Sequence, residues 1–181
     1  MRTQDQAAEQ KDLQALRLIS RAPERLPTEF APAERASREE VLVQARKLPQ
    51  IPLLHSFISS VFDIVLVLNK ERQIVLANDK FLKFVGARDS GACLGQRFGE
   101  ALNCIHASES LGGCGTSEFC RACGGIGAIL SSQLGNVSAQ EWHLSMKDVV
   151  EPLELRAYAS PLKENDYQFT ILAVSDVSHE K

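Results

Sequence analysis

The chain has 181 residues, 44% of them hydrophobic and 24% charged. That is enough for one domain with a real core plus extensions, and too little for two large domains. A net charge of −3 gives no electrostatic case for nucleic acid or an anionic membrane as partner. No apolar run approaches the roughly 18 residues that span a bilayer. The opening MRTQDQAAEQ lacks the apolar core of a signal peptide, so the expected location is the cytoplasm. In that reducing setting five cysteines point to metal or redox chemistry rather than to a disulfide framework.

Residues 1–36 form the first region. Residues 1–20 read as a polar helix with Leu13, Leu16 and Ile19 on one side, and Pro23, Pro27 and Pro32 then forbid a regular element. Residues 37–62 form the second. Ser37-Arg-Glu-Glu40 is a capping box that opens a helix to about Lys47. A further helical stretch from Pro52 to Phe62 carries Leu53, Leu54, Phe57, Ile58 and Val61 at helical period. These helices suit either packing on the following domain or a homodimer contact.

From residue 63 to 178 the pattern changes. Ile64–Leu68 and Gln73–Ala77 flank the polar turn Asn69–Arg72 and predict a hairpin. Asn78 caps a short helix with Phe81, Leu82, Phe84 and Val85 turned inward and Gly86 closing it. Gln96–Leu102 makes another helical turn. After a cysteine-rich insert at 104–123, Ile126, Ile129, Leu130 and Leu134 mark one face of a helix that Gly135 stops. Three strands follow. Trp142, Leu144 and Met146 alternate with polar residues, as do Leu153, Leu155, Ala157 and Ala159, and Tyr167–Val174 is the third, after a turn at Lys163–Asp166. The fold class expected is α+β.

Within the insert, Cys104, Cys114, Cys120 and Cys123 have the spacing C-x9-C-x5-C-x2-C, with His106 in the first gap. Two residues between Cys120 and Cys123 let a tight turn aim both sulfurs at one centre. Six of the eleven glycines lie between residues 112 and 127, as a loop folding closely on a metal would need. Four thiolates match structural zinc, slightly favoured by the knuckle-like CRACGG, and equally an iron–sulfur cluster. His106 is either a ligand or a hydrogen-bond donor to a thiolate. Cys93 reads as a small buried hydrophobe, and His55 and His143 as solvent-facing positions. The competing chemistry is a thiol-redox enzyme using Cys120 and Cys123, which leaves Cys104 and Cys114 unexplained. A plain interaction domain with structural zinc is the third reading.

The segments FDIVLVLNKERQIVLANDKFLKFVG (62–86) and YQFTILAVSDVSHEK (167–181) resemble the PAS domain. The resemblance implies a five-stranded antiparallel sheet with short helices between strands two and three, and Asp176-Val177-Ser178 is similar to the triplet with which the family hands over to its output. PAS modules preceding bacterial sensor histidine kinases and carrying a GCGTSEFCRACG-like insert are the nearest resemblance. It implies a sensory rather than catalytic chain, with a kinase-type output domain or partner protein. No glycine-rich ATP lid is present, and His179 reads as a solvated tail residue. Haem and flavin are not expected. No histidine lies on the helix after the insert, and no cysteine stands in an Asn-Cys-Arg-Phe context.

Overall fold

A computed structural model describes residues 26–147 and 149–178. The helix expected over 1–20 and the tail residue His179 lie outside the described residues. An irregular strap over residues 28–37 leads into α1 (Arg38–Lys47). Ser37 is extended and its hydroxyl accepts the Glu40 N–H at 3.2 Å, while Glu39 and Glu40 in the first turn and Arg46 and Lys47 in the last complement the helix dipole. A 3-10 turn at Leu48–Gln50 leads towards α2 (Leu54–Ser60). This helix is shorter than the 52–62 stretch expected, because Leu53 takes φ 65° and Val61 is already extended.

The hairpin appears as expected, with β1 at Ile64–Leu68 and β2 at Ile74–Ala77. Helix α3 (Asp79–Phe84) is capped by Asn78, whose side chain accepts the N–H groups of Phe81 and Val65. Phe81 is fully buried, but Phe84, expected inside, is 43% exposed. A short α4 (Phe98–Ala101) precedes the cysteine-bearing segment, and α5 (Gly124–Gln133) follows it. Leu134 falls past the end of α5 and is 82% exposed, so it does not extend the buried face.

Strands β3 (Ser138–Leu144), β4 (Leu153–Glu164) and β5 (Tyr167–Asp176) complete a sheet of order β2-β1-β5-β4-β3, antiparallel throughout. β4 outruns its expected end at Ala159 and passes through Pro161. The pairing with β3 stops at Ser138↔Ala159, so Pro161 lies where β4 has no β3 neighbour and a missing donor is tolerated.

The sheet is covered on both faces. On one, Leu66, Leu68, Ala157, Ala159, Leu172 and Val174 pack with Phe81, Phe98, Ala128, Ile129 and Trp142. On the other, Val65, Val67, Val75 and Phe169 pack with Val41 of α1, Leu48 of the 3-10 turn and Ile58 of α2. Every residue of β1 is therefore buried, which is why it reads as a continuous apolar run rather than an alternation. Each such side chain contributes about 1.5–3 kcal/mol by leaving water. The N-terminal helices thus serve as a cover for the sheet.

The expected output triplet is a capped turn. Asp176 accepts from both the backbone N–H and the hydroxyl of Ser178, and Val177 is buried and donates its N–H to Glu154 O.

Candidate metal centre

The segment 104–123 has no element longer than a 3-10 turn (Ile105–Ser108 and Glu118–Ala122), so its shape depends on what it is tied to. Cys104 follows α4, with its N–H on Gly99 O at 2.8 Å, and forms an isolated bridge with Met146 just beyond β3. Cys114 is fixed through its backbone, its N–H donating to Glu100 Oε1 at 3.1 Å and its carbonyl accepting from Arg97 at 3.1 Å. Cys120 lies buried in the second 3-10 turn, its sulfur 3.3 Å from the Ser117 hydroxyl. Cys123 is the N-cap residue of α5.

These four anchorages bring Cys104, Cys114, Cys120 and Cys123 to the wall of one cavity of about 430 Å³, between the insert, α4, the start of α5 and β3. His106 reaches the same cavity, with its ring stacked on Phe119 at 4.7 Å and its Nδ1 2.9 Å from Glu109. Cys93 does not. It is 3% exposed and sits in the main core. His55 is exposed, and His143, though largely exposed, contributes to the cavity rim beside Glu154.

Several residues that sequence patterns did not single out hold this site. Arg97, 1% exposed, donates to Gly112 O and Cys114 O in the insert, to Ala33 O and Glu34 O in the strap and to Glu71 O in the hairpin turn. Burial and the neighbouring Arg72 and Arg35 lower its pKa to about 10, which leaves it charged at neutral pH. Burial alone would raise the Glu100 carboxyl, but Arg35 and the N–H groups of Arg97 and Cys114 outweigh it and hold the group below its ordinary value. The strap itself pairs with the insert, through Glu29 N–H to Thr116 O and Ala31 N–H to Gly115 O. The only trace of these residues in the sequence is that Arg97 and Glu100 flank Phe98 in a short helical turn, while Arg72 and Arg35 stand in polar runs that carry no such signal.

Gly99, outside the glycine-rich run, is the one that meets the thiols: a Cβ there would fall 2.7 Å from Cys114 Sγ. Gly115, at φ 91°, turns the chain beside Arg72, whose Nε would stand 3.4 Å from an added Cβ. Within the run Gly112, Gly113, Gly115, Gly124 and Gly125 sit against neighbouring protein atoms, while Gly127 has open space around it.

As free thiols Cys104, Cys114 and Cys123 are poorly ionised. Burial pushes Cys114 up to about 12 and raises Cys104 and Cys123. Backbone N–H groups oppose the shift, from Gly125 and Ile126 at Cys123 and from His106 and Ala107 at Cys104. Such donors favour a bound thiolate, and a metal deprotonates a coordinating thiol outright.

No family model matches the sequence, and no curated protein does. Among solved structures the fold is similar to an RNA-binding light-oxygen-voltage receptor, at 15% identity and a TM-score of 0.51 over 86% of this chain, which spans 38% of that protein. It is also similar to a PAS domain from a two-component sensor histidine kinase (9% identity, TM-score 0.48, 71% of this chain and 96% of that one). The PAS domain of Bordetella pertussis BvgS is comparable, at 14% identity, TM-score 0.47, and 72% and 87% coverage. Sheet order and intervening short helices are those of the PAS fold. Among the described residues no helix is long and apolar enough to cross a membrane.

Proposed function

We propose that this chain is a cytoplasmic signal-sensing module whose PAS-like fold carries a metal centre held by Cys104, Cys114, Cys120 and Cys123. One observation carries the reading: four cysteines spread over twenty residues of sequence line a single cavity against the sheet. Bound metal would supply folding free energy to a segment with no long element of its own. His106, paired with Glu109 and stacked on Phe119, serves as a neighbour to the thiolates rather than as a fifth ligand. The thiol-redox alternative draws support from the place of Cys123 at the N-terminus of α5. It is disfavoured because burial raises Cys104, Cys114 and Cys123, whereas a redox thiol needs a lowered pKa. The chain is read as a sensor, not a catalyst.

Two routes lead away from the centre. The strap over residues 28–36, hydrogen-bonded to the insert, continues into α1. The turn at Asp176–Ser178 is fastened to β4 and is the exit towards a kinase-type output or partner protein. Leu53, Phe57 and Phe62 remain 63–91% exposed around α2, and we assign them to a homodimer contact with a second copy of this chain.

Replacing Cys114, Cys120 or Cys123 by Ser should lower metal content from near one centre per chain, while Cys93→Ser should leave it unchanged. Metal analysis of the four purified variants decides the matter, and equal retention in all of them defeats the assignment.

A further inference from the structure

Resting on the reading that these thiols bind a metal centre, we infer that the centre is an iron–sulfur cluster rather than a single zinc ion, and that Arg72 donates a hydrogen bond to it. A tetrahedral zinc with Zn–S bonds of about 2.3 Å draws its sulfurs to within roughly 3.8 Å of one another. Among the described residues no three His, Cys, Asp or Glu side chains stand close enough to hold one ion. The four cysteines instead contribute to the wall of a cavity of about 430 Å³, many times the roughly 30 Å³ share of one water molecule. Their anchorages oppose collapse onto one ion. Cys104 is bridged to Met146, Cys123 begins a ten-residue helix, and Cys114 is pinned between Arg97 and Glu100. Iron and inorganic sulfide placed between the thiolates fill such a space, with all four sulfurs as ligands.

Arg72 adds an independent observation. Its side chain is 3% exposed and forms part of the cavity wall. Its Nη2 donates to Pro32 O, but its buried Nε has no acceptor among the described residues. A buried donor left unpaired keeps its full desolvation penalty, so an acceptor in the cavity is what this guanidinium lacks. The cysteine sulfurs already have backbone donors at Cys104, Cys114 and Cys123. A bridging sulfide, which zinc tetrathiolate does not possess, would be a further acceptor of the kind this donor lacks. Phe98, Trp142 and Ile126 complete an apolar wall that limits water at the cluster.

The test is the full chain purified without oxygen and reconstituted with ferrous iron and inorganic sulfide. The expected result is a brown protein absorbing near 400 nm, with iron and acid-labile sulfide in equal amounts and more than one of each per chain. A colourless protein with one zinc per chain and no sulfide overturns the cluster and leaves the four-cysteine metal centre standing. Failure to retain any metal overturns both. Arg72→Gln should keep the iron and sulfide content and move the midpoint potential to a more negative value, because a lost N–H donor destabilises the more negatively charged reduced cluster. Arg72→Lys keeps the charge without the planar donor and shifts in the same direction if Gln is not tolerated. An unchanged potential in a cluster-loaded variant overturns the role of Arg72.

Discussion

The sheet with its covers and the cysteine-bearing segment are ordered by different forces. β1 is buried along its whole length, and β5 buries Phe169, Thr170, Leu172 and Val174, with α1 and α2 covering one face and α3–α5 the other. Residues 104–123 bury few large apolar side chains, and Leu111 and Phe119 stay exposed. They are held by an arginine reaching six backbone carbonyls, a carboxylate accepting from Arg35 and two backbone N–H groups, and the strap paired alongside. Hydrophobic burial is non-directional and tolerates small shifts. A polar network is all-or-none, because each lost partner strands another buried group. The first region therefore supplies the stability of the module, and the second is the part that the proposed metal centre would order.

This contrast can be broken from either side. Leu66→Ala, at a fully buried position of β1, should destabilise the whole module by about 2–5 kcal/mol. Urea unfolding followed by Trp142 fluorescence should then show a single earlier transition. Arg97→Met should cost about 1–3 kcal/mol for the carbonyls it orphans, concentrated locally. Amide hydrogen exchange should accelerate over 28–36 and 104–123 while β1 and β5 stay protected. Acceleration spread evenly through the sheet would show that the two regions are not separable. Ser37→Ala should cost about 1 kcal/mol through the lost cap of α1, read as a small drop in Tm with no change in metal content. Phe57→Asp, at an exposed position, should move stability by less than about 0.5 kcal/mol yet lower the sedimenting mass from dimer to monomer. A wild-type chain that already runs as a monomer at tens of micromolar removes the homodimer from the proposal.

Local rules served the sheet well. The hairpin at Ile64–Ala77, the Asn78 cap and the last two strands follow from period, turn residues and capping chemistry, all of which act within a few residues. Errors fell where long-range contacts decide. Phe84 has the right character for a core but faces out. β4 runs through Pro161 only because β3 ends two residues earlier on the neighbouring register. Leu53 breaks the second helix with a positive φ that no sequence rule for leucine anticipates.

By itself the sequence determined the capped helix at Arg38–Lys47 and the strands of the sheet, and it marked four cysteines within twenty residues, since periodicity, caps and spacing are properties of adjacent residues. It could not say that α1 and α2 would lie on the outer face of the sheet, because an amphipathic helix packs equally well on a domain or on a partner. Only the tertiary structure brought Arg72, Arg97, Glu100 and Gly99 to the cysteines. Their approach results from the hairpin turn, α4 and the strap meeting in space, and a buried charge announces itself only once its partners are known.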